Sequence, residues 1–315
     1  MKYRIGIDLG GTNIKAGIVD ESYNIIRSIS RPTDVSRQPE DILRDMSDMS
    51  LELIREENVD PKDVLGIGVG SPGTVDAVHG VVVYSNNFGW NHVALTYFME
   101  KHTGFPIRIS NDANCAALGE VKAGAAIDAL NCILITLGTG VGGGIIFDGK
   151  IFEGAHPGGA EIGHTMLIAG GELCTCGRRG CLEAYASATA LIRDTQRAAI
   201  EDVKSMIWKH CHGNHKKIDG KTVFLAAKEN DETAKRVVSN YISYLGDGIV
   251  DMVNIFRPDK VLLSGGVCNE GETLTGPLNE YVKAHCFAGD NGFVPSVEIA
   301  KLGDKTGIIG SAALF

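Results

Sequence analysis

The chain has 315 residues, 44% of them apolar and 22% charged, and a formal net charge of −9 at pH 7. Such a length predicts two domains, and the acidic balance argues against nucleic acid as a main partner, since phosphate backbones require Lys/Arg surfaces. No run of 18 apolar residues occurs, so no membrane-spanning helix is expected.

Met1-Lys2 leads at once into an apolar strand, which leaves no room for a signal peptide and points to the cytoplasm. Residues 3–9, 14–19 and 25–30 read as a three-stranded meander. Residues 38–57 have helical spacing, with Ile42, Met46, Met49, Leu53 and Ile54 on one face. A short strand over 64–70 ends in the turn Ser71-Pro72-Gly73. A helix over 93–103, a strand over 107–109 and a small-residue helix over 113–123 follow.

The pattern then restarts. Residues 132–137 form a strand, followed by glycines, a strand over 144–147, the hairpin turn Asp148-Gly149 and a return over 150–152. Helices are predicted over 186–208, 222–229 and 231–256, strands over 260–263 and 297–301, and a final helix over 307–314. Each half opens on strand, glycine turn, strand, which predicts a duplicated α/β architecture with an interdomain cleft. The boundary is expected near Gly119–Gly124. Residues 1–119 then form the first domain, with 303–315 packing back on it, and residues 120–302 the second.

Three glycine turns suit a phosphate-bearing ligand. Asp8-Leu9-Gly10-Gly11-Thr12-Asn13 lies between two strands, where successive amides form an anion-binding nest. Asp8 is placed to hold Mg²⁺, and Thr12 and Asn13 to donate to phosphate oxygens. Gly138-Thr139-Gly140-Val141-Gly142-Gly143 formally matches the dinucleotide fingerprint. The hairpin predicted after it, in place of a helix, excludes a nicotinamide reading and keeps the phosphate one. Ser264-Gly265-Gly266 ends a strand, where adenine or ribose can rest. Neither a P-loop nor the protein-kinase signature set is present.

Ser110-Asn111-Asp112 follows a strand and opens a helix. Asp112 reads either as a helix N-cap or as a general base that accepts a hydroxyl proton during phosphoryl transfer. Asn111 would hold a neighbouring hydroxyl.

His164, Cys174, Cys176 and Cys181 lie within 18 positions, with Glu161 and Glu183 on either side. Thiolates and imidazole suit a tetrahedral Zn²⁺. The expectation is a metal-stiffened loop that aims both glutamates at a polar small molecule. The other five cysteines are spread singly, which suits reduced thiols. The segment His210-Cys211-His212-Gly213-Asn214-His215 reads as a solvated helix end rather than a second metal site.

Together these motifs resemble the ROK family of sugar kinases and repressors, in order and over nearly the whole chain. The resemblance implies an actin-like ATPase (ribonuclease H-like) fold whose two domains close on sugar and ATP. Within the family the chain looks most like the bacterial glucokinases. By that similarity Asp112 is the base acting on a sugar 6-hydroxyl, and Asn111, Glu161, His164 and Glu183 bind the other hydroxyls. Gly73 and Asn87 would be further sugar contacts. Structural zinc would be held by His164, Cys174, Cys176 and Cys181, with His164 using its second ring nitrogen for the sugar. ATP with Mg²⁺ would be the phosphoryl donor, polyphosphate an alternative one, and the assembly a homodimer. Rival acceptors are N-acetylmannosamine, N-acetylglucosamine, fructose and allose. The repressor branch carries an N-terminal helix-turn-helix, whereas here the first strand begins at residue 3 and Asp112 is intact, so an enzyme is expected rather than a sugar-binding regulator.

Overall fold

The computed structural model describes residues 1–287 and 289–315. The chain runs β1 (Tyr3–Leu9), β2 (Asn13–Val19), β3 (Ile25–Pro32), α1 (Pro39–Glu56), β4 (Val64–Ser71), β5 (Thr74–Asp76), β6 (Val81–Ser85), β7 (Trp90–Val93), α2 (Leu95–Thr103), β8 (Ile107–Asn111) and α3 (Asp112–Ala123). It continues through β9 (Cys132–Leu137), β10 (Val141–Phe147), β11 (Lys150–Ile151), α4 (Glu183–Ala186), α5 (Ala188–Glu201), α6 (Ile207–His210), α7 (Thr222–Lys228) and α8 (Glu232–Phe256). The last elements are β12 (Lys260–Ser264), α9 (Glu272–His285), β13 (Ser296–Ile299) and α10 (Thr306–Ala312).

Two compact units result. The first comprises Met1–Cys132, Gly144–Ala160 and Ala300–Phe315; the second comprises Ile133–Gly143 and Glu161–Ile299.

The first unit is built on a sheet of order β3-β2-β1-β4-β8. β1, β2 and β3 pair antiparallel, while β4 and β8 run parallel to β1. Ile5, Ile7 and Leu9 of β1 are fully buried, in one core with Ile42, Met46, Met49 and Leu53 of α1. That helical stripe is the one read from the sequence. The opposite face of the sheet takes α10 at unusually close range. A Cβ on Gly6 would lie 1.9 Å from the Ile308 carbonyl, and one on Gly68 1.8 Å from that of Ser311. Glycine is therefore required at both positions for the helix to seat.

The domain division differs from the sequence expectation: residues 120–132 and 144–160 group with the first unit. Buried Glu120 is the physical reason for the first of these segments. Its carboxylate accepts the Ala125 amide at 2.7 Å, the Lys301 amide at 3.1 Å and the Leu302 amide at 2.8 Å. One side chain thus fastens the end of α3 and the approach to α10 together.

A second sheet has the order β11-β10-β9-β12-β13, with β12 and β13 parallel and β10 and β11 antiparallel. Asp148 (φ 49°) and Gly149 (φ 70°) make the tight turn expected between β10 and β11. The 25-residue helix α8 buries a full stripe from Val237 through Val253 in the second unit.

Three local expectations are corrected. The helix expected over 186–208 is broken, because the Ser187 hydroxyl caps α5 and the chain leaves the helix at Asp202. α9 lies where the sequence reading placed no element; burial of Leu274, Leu278 and Val282 holds the helix across Pro277. The small sheet β5-β6-β7 was also missed, its strands being three to five residues long.

Candidate functional site

The start of α3 is the best-defined polar constellation in the first unit. Asn111, not Asp112, is the N-cap: its side-chain oxygen accepts the amides of Ala113 at 2.9 Å and Asn114 at 3.3 Å. Its Nδ2 donates to the Gly73 carbonyl at 3.1 Å, which joins two residues predicted to share a ligand. With capping done by its neighbour, Asp112 occupies the first helical position. Its Oδ1 accepts the Ala113 amide at 2.9 Å.

Desolvation raises the Asp112 pKa, against smaller lowering by the Ala113 amide, its own amide and the Asn111 side chain. Asp112 is nonetheless solvent-accessible, so protein crowds its carboxylate without sealing it, and the open side limits the lift. Asp8 is also raised, by burial first and by the Asp112 charge second, with Lys15 opposing. Two carboxylates close enough to repel suit a divalent cation, which would relieve both.

A third acid, Glu153, joins them. Its Oε1 accepts the Ser110 hydroxyl at 3.2 Å and the Asn114 side-chain Nδ2 at 2.9 Å. Sequence reasoning missed it, because it lies 41 positions beyond Asp112 in a loop without a motif. Cys115, fully buried, is pushed strongly up by desolvation, with these three acids adding to the effect.

The β1–β2 turn is self-contained. The Gly10 amide donates to the Asn13 carbonyl, and Thr33 holds the Gly10 carbonyl through its hydroxyl and the Thr12 carbonyl through its amide. Gly11, Thr12 and Asn13 are exposed. In the second unit the turn Gly138–Gly143 is anchored by its carbonyls: the Ala188 amide donates to Gly138 at 2.9 Å and the Thr189 hydroxyl to Thr139 at 2.8 Å. The Gly142 amide donates to the Thr136 hydroxyl. Added Cβ atoms on Gly11, Gly138 and Gly266 would meet nothing within 4 Å, so packing does not dictate glycine there. Gly265 and Gly266 follow β12, as expected.

The four predicted metal ligands converge. One donor atom from each of His164, Cys174, Cys176 and Cys181 lies within 4.8 Å of all the others. His164 Nδ1 is 3.6 Å from Cys174 Sγ, and Cys176 Sγ is 3.7 Å from Cys181 Sγ. Donors about 2.0–2.3 Å from a tetrahedral zinc are separated by roughly 3.5–3.8 Å. The spacing and the Cys₃His donor set both fit Zn²⁺. Short bridges Met166–Cys181 and Leu173–Arg179 order the loop, and His164 closes a single helical turn after Glu161.

Glu183, the first residue of α4, reaches back into this loop. Its Oε1 accepts the Thr175 hydroxyl at 2.6 Å and the Cys174 thiol at 3.3 Å. Its Oε2 accepts the Val141 amide at 3.1 Å. Gly140 leaves room for it, since a Cβ there would stand 2.3 Å from Oε2. Glu161 is exposed. Asn87 is exposed in the β6–β7 turn, away from any contact that ties it to Asn111.

Two other features do not join these groups. His210 lies 3.3 Å from Glu229 and Cys211 is buried, so the His/Cys-rich segment forms an ordinary helix end. A hollow lined by Arg193, Arg197, Tyr185 and Tyr244 balances its own charge, through Arg193–Asp194 and Arg197–Glu172 pairs. No helix among the described residues is long and apolar enough to cross a membrane.

Residues 4–315 match the model of the ROK family. A glucokinase of Thermotoga maritima is 36% identical over 99% of this chain and 96% of its own length. A ROK family glucokinase from Streptomyces griseus, solved in complex with glucose and AMPPNP, superposes with a TM-score of 0.78 at 34% identity, covering 99% of this chain and 98% of that one. A xylose repressor of Caldicellulosiruptor bescii is 30% identical over 98% of this chain and 77% of its own length. The fold is the actin-like ATPase fold, in keeping with a sheet of three antiparallel strands extended by two parallel ones.

Proposed function

The chain belongs to the ROK family, and on that premise we propose that it is an ATP-dependent sugar kinase that phosphorylates the 6-hydroxyl of glucose. The products are glucose 6-phosphate and ADP. The observation that carries this reading is the start of α3, where Asn111 does the capping and leaves Asp112 solvent-accessible with a raised pKa.

In this reading Asp112 accepts the proton of the 6-hydroxyl as its oxygen attacks the γ-phosphorus. A raised pKa makes the carboxylate a stronger base than that of an ordinary aspartate. Asn111 is fixed by its cap and by Gly73, which sets its side chain to orient a neighbouring hydroxyl. Glu161, His164 and Glu183 bind the other hydroxyls, with Gly73 and Asn87 as outer contacts. The glycine turns at Gly10-Gly11 and at Gly138, Thr139, Gly140, Gly142 and Gly143, with the side chains of Thr12 and Asn13, border the phosphates. Gly265 and Gly266 border the nucleoside.

Asp8 would hold the magnesium of Mg·ATP, which supplies charge neutralisation at the transferring phosphoryl group. Zinc on His164, Cys174, Cys176 and Cys181 would stiffen the loop that carries the hydroxyl ligands. ATP as donor places the reaction in the cytoplasm.

The match to a xylose repressor favours a second reading, a sugar-binding regulator. Coupled ADP release with a panel of hexoses separates the two. Strong turnover with glucose alone supports the proposal. Turnover with N-acetylmannosamine, N-acetylglucosamine, fructose or allose keeps the mechanism and changes the acceptor. Sugar binding without turnover establishes the regulator.

A further inference from the structure

We infer that Thr175 is the residue that positions Glu183 for the sugar, so that the metal loop sets sugar affinity through one hydroxyl. The inference rests on the proposed role of Glu183 as a hydroxyl ligand.

The geometry is specific. Thr175 stands between two of the clustered cysteines, and its hydroxyl donates to Glu183 Oε1 at 2.6 Å. This is a charge-assisted bond, the stronger class of hydrogen bond. The other side-chain atom against that oxygen is Cys174 Sγ at 3.3 Å, which as a zinc thiolate has no proton to donate. Oε2 takes a backbone amide, that of Val141. The glutamate is thus held at one oxygen by the glycine turn and at the other by the metal loop.

Thr175 is well suited to the task although it is exposed. Its branched Cβ restricts χ1, so the hydroxyl is preset once the backbone is fixed. The backbone is fixed on both sides, because the Cys174 amide donates to the Arg178 carbonyl and the Gly177 amide to the Cys174 carbonyl. A carboxylate oxygen with this partner keeps lone pairs for a ligand hydroxyl, and its direction is set before the ligand arrives.

The test uses the intact protein and four forms of it: wild type, Thr175→Val, Thr175→Ser and Glu183→Gln. Zinc content, glucose binding by calorimetry, and KM for glucose and for ATP are measured on each. Thr175→Val is expected to keep its zinc and its KM for ATP. Its glucose affinity should fall roughly ten- to a hundred-fold, the equivalent of one charge-assisted hydrogen bond. Thr175→Ser should restore binding, because the hydroxyl returns.

Glucose binding unchanged in Thr175→Val, while Glu183→Gln weakens it, overturns the inference and leaves the function standing. Loss of zinc from Thr175→Val also overturns it, since the effect would then belong to the metal. A wild type that neither binds nor phosphorylates glucose removes the parent reading, and this inference with it.

Discussion

Asn111 caps α3 in place of Asp112, its immediate neighbour. The two side chains divide the work of a helix N-terminus: the Asn111 side-chain oxygen satisfies the orphan N–H groups of Ala113 and Asn114, and the acid is left in the first turn without the capping task.

That division makes Asp112 dispensable for the fold. Asp112→Asn is expected to fold normally and bind glucose while turnover falls about 10²–10⁴-fold, the usual contribution of a general base. Steady-state kinetics beside glucose calorimetry checks both halves. Full turnover in the variant would remove Asp112 from the chemistry.

The same substitution has a signed effect on stability. Asp112 titrates higher in the folded chain than its ordinary value of 3.8, so between those two pKa values the native state holds more protons than the unfolded one. Stability then falls as pH rises through that window, and the full penalty persists at neutral pH. Asp112→Asn should melt higher than wild type at pH 7, by a margin kept small by solvent contact, and the gain should vanish as pH is lowered below 3.8. Thermal melts of both proteins across pH decide it.

Catalysis titrates in the opposite sense. The base works deprotonated, so kcat/KM should climb with pH through the raised Asp112 pKa, with its acid limb above 3.8. A limb at or below that value, with the fold intact, would contradict the crowding of the carboxylate.

Cys176 is the exposed member of the metal cluster. Its replacement by serine disturbs little packing, and any effect reports on the metal. Cys176→Ser is expected to lose zinc, melt several degrees lower and bind glucose more weakly, because His164 and the Glu183 partner Thr175 share the loop. Metal analysis and melting temperature of wild type and variant are the measurements. Wild-type stability in a zinc-free variant would refute the structural role.

Glu120 should matter to stability alone. Removing its carboxylate strands three amides, those of Ala125, Lys301 and Leu302. Glu120→Ala should cost on the order of 3–5 kcal/mol in urea unfolding. Glu120→Gln, which keeps one acceptor oxygen, should cost less.

The metal ligands were legible because their spacing is chemically restrictive, and the glycine turns because strand signals bracket them. Asp112 was singled out by its position after a strand, with a cap and a base as its two readings; the cap falls to Asn111 next to it, since asparagine and aspartate cap equally well. Glu153 and Thr175 were invisible for a different reason. No spacing rule marks either residue, and only the folded path shows Glu153 against Asn114 or the Thr175 hydroxyl on Glu183. α9 was hidden by Gly276-Pro277, where core burial overrides a local break signal.

The seating of α10 against Gly6 and Gly68 has a consequence for synthesis. The first unit needs a helix that leaves the ribosome only after the whole second unit has been made. Until residues 306–312 emerge, β1 and β4 keep an apolar face open. The nascent N-terminal sheet must wait, and a chaperone that covers this face during translation would act on a gap written into the order of the gene.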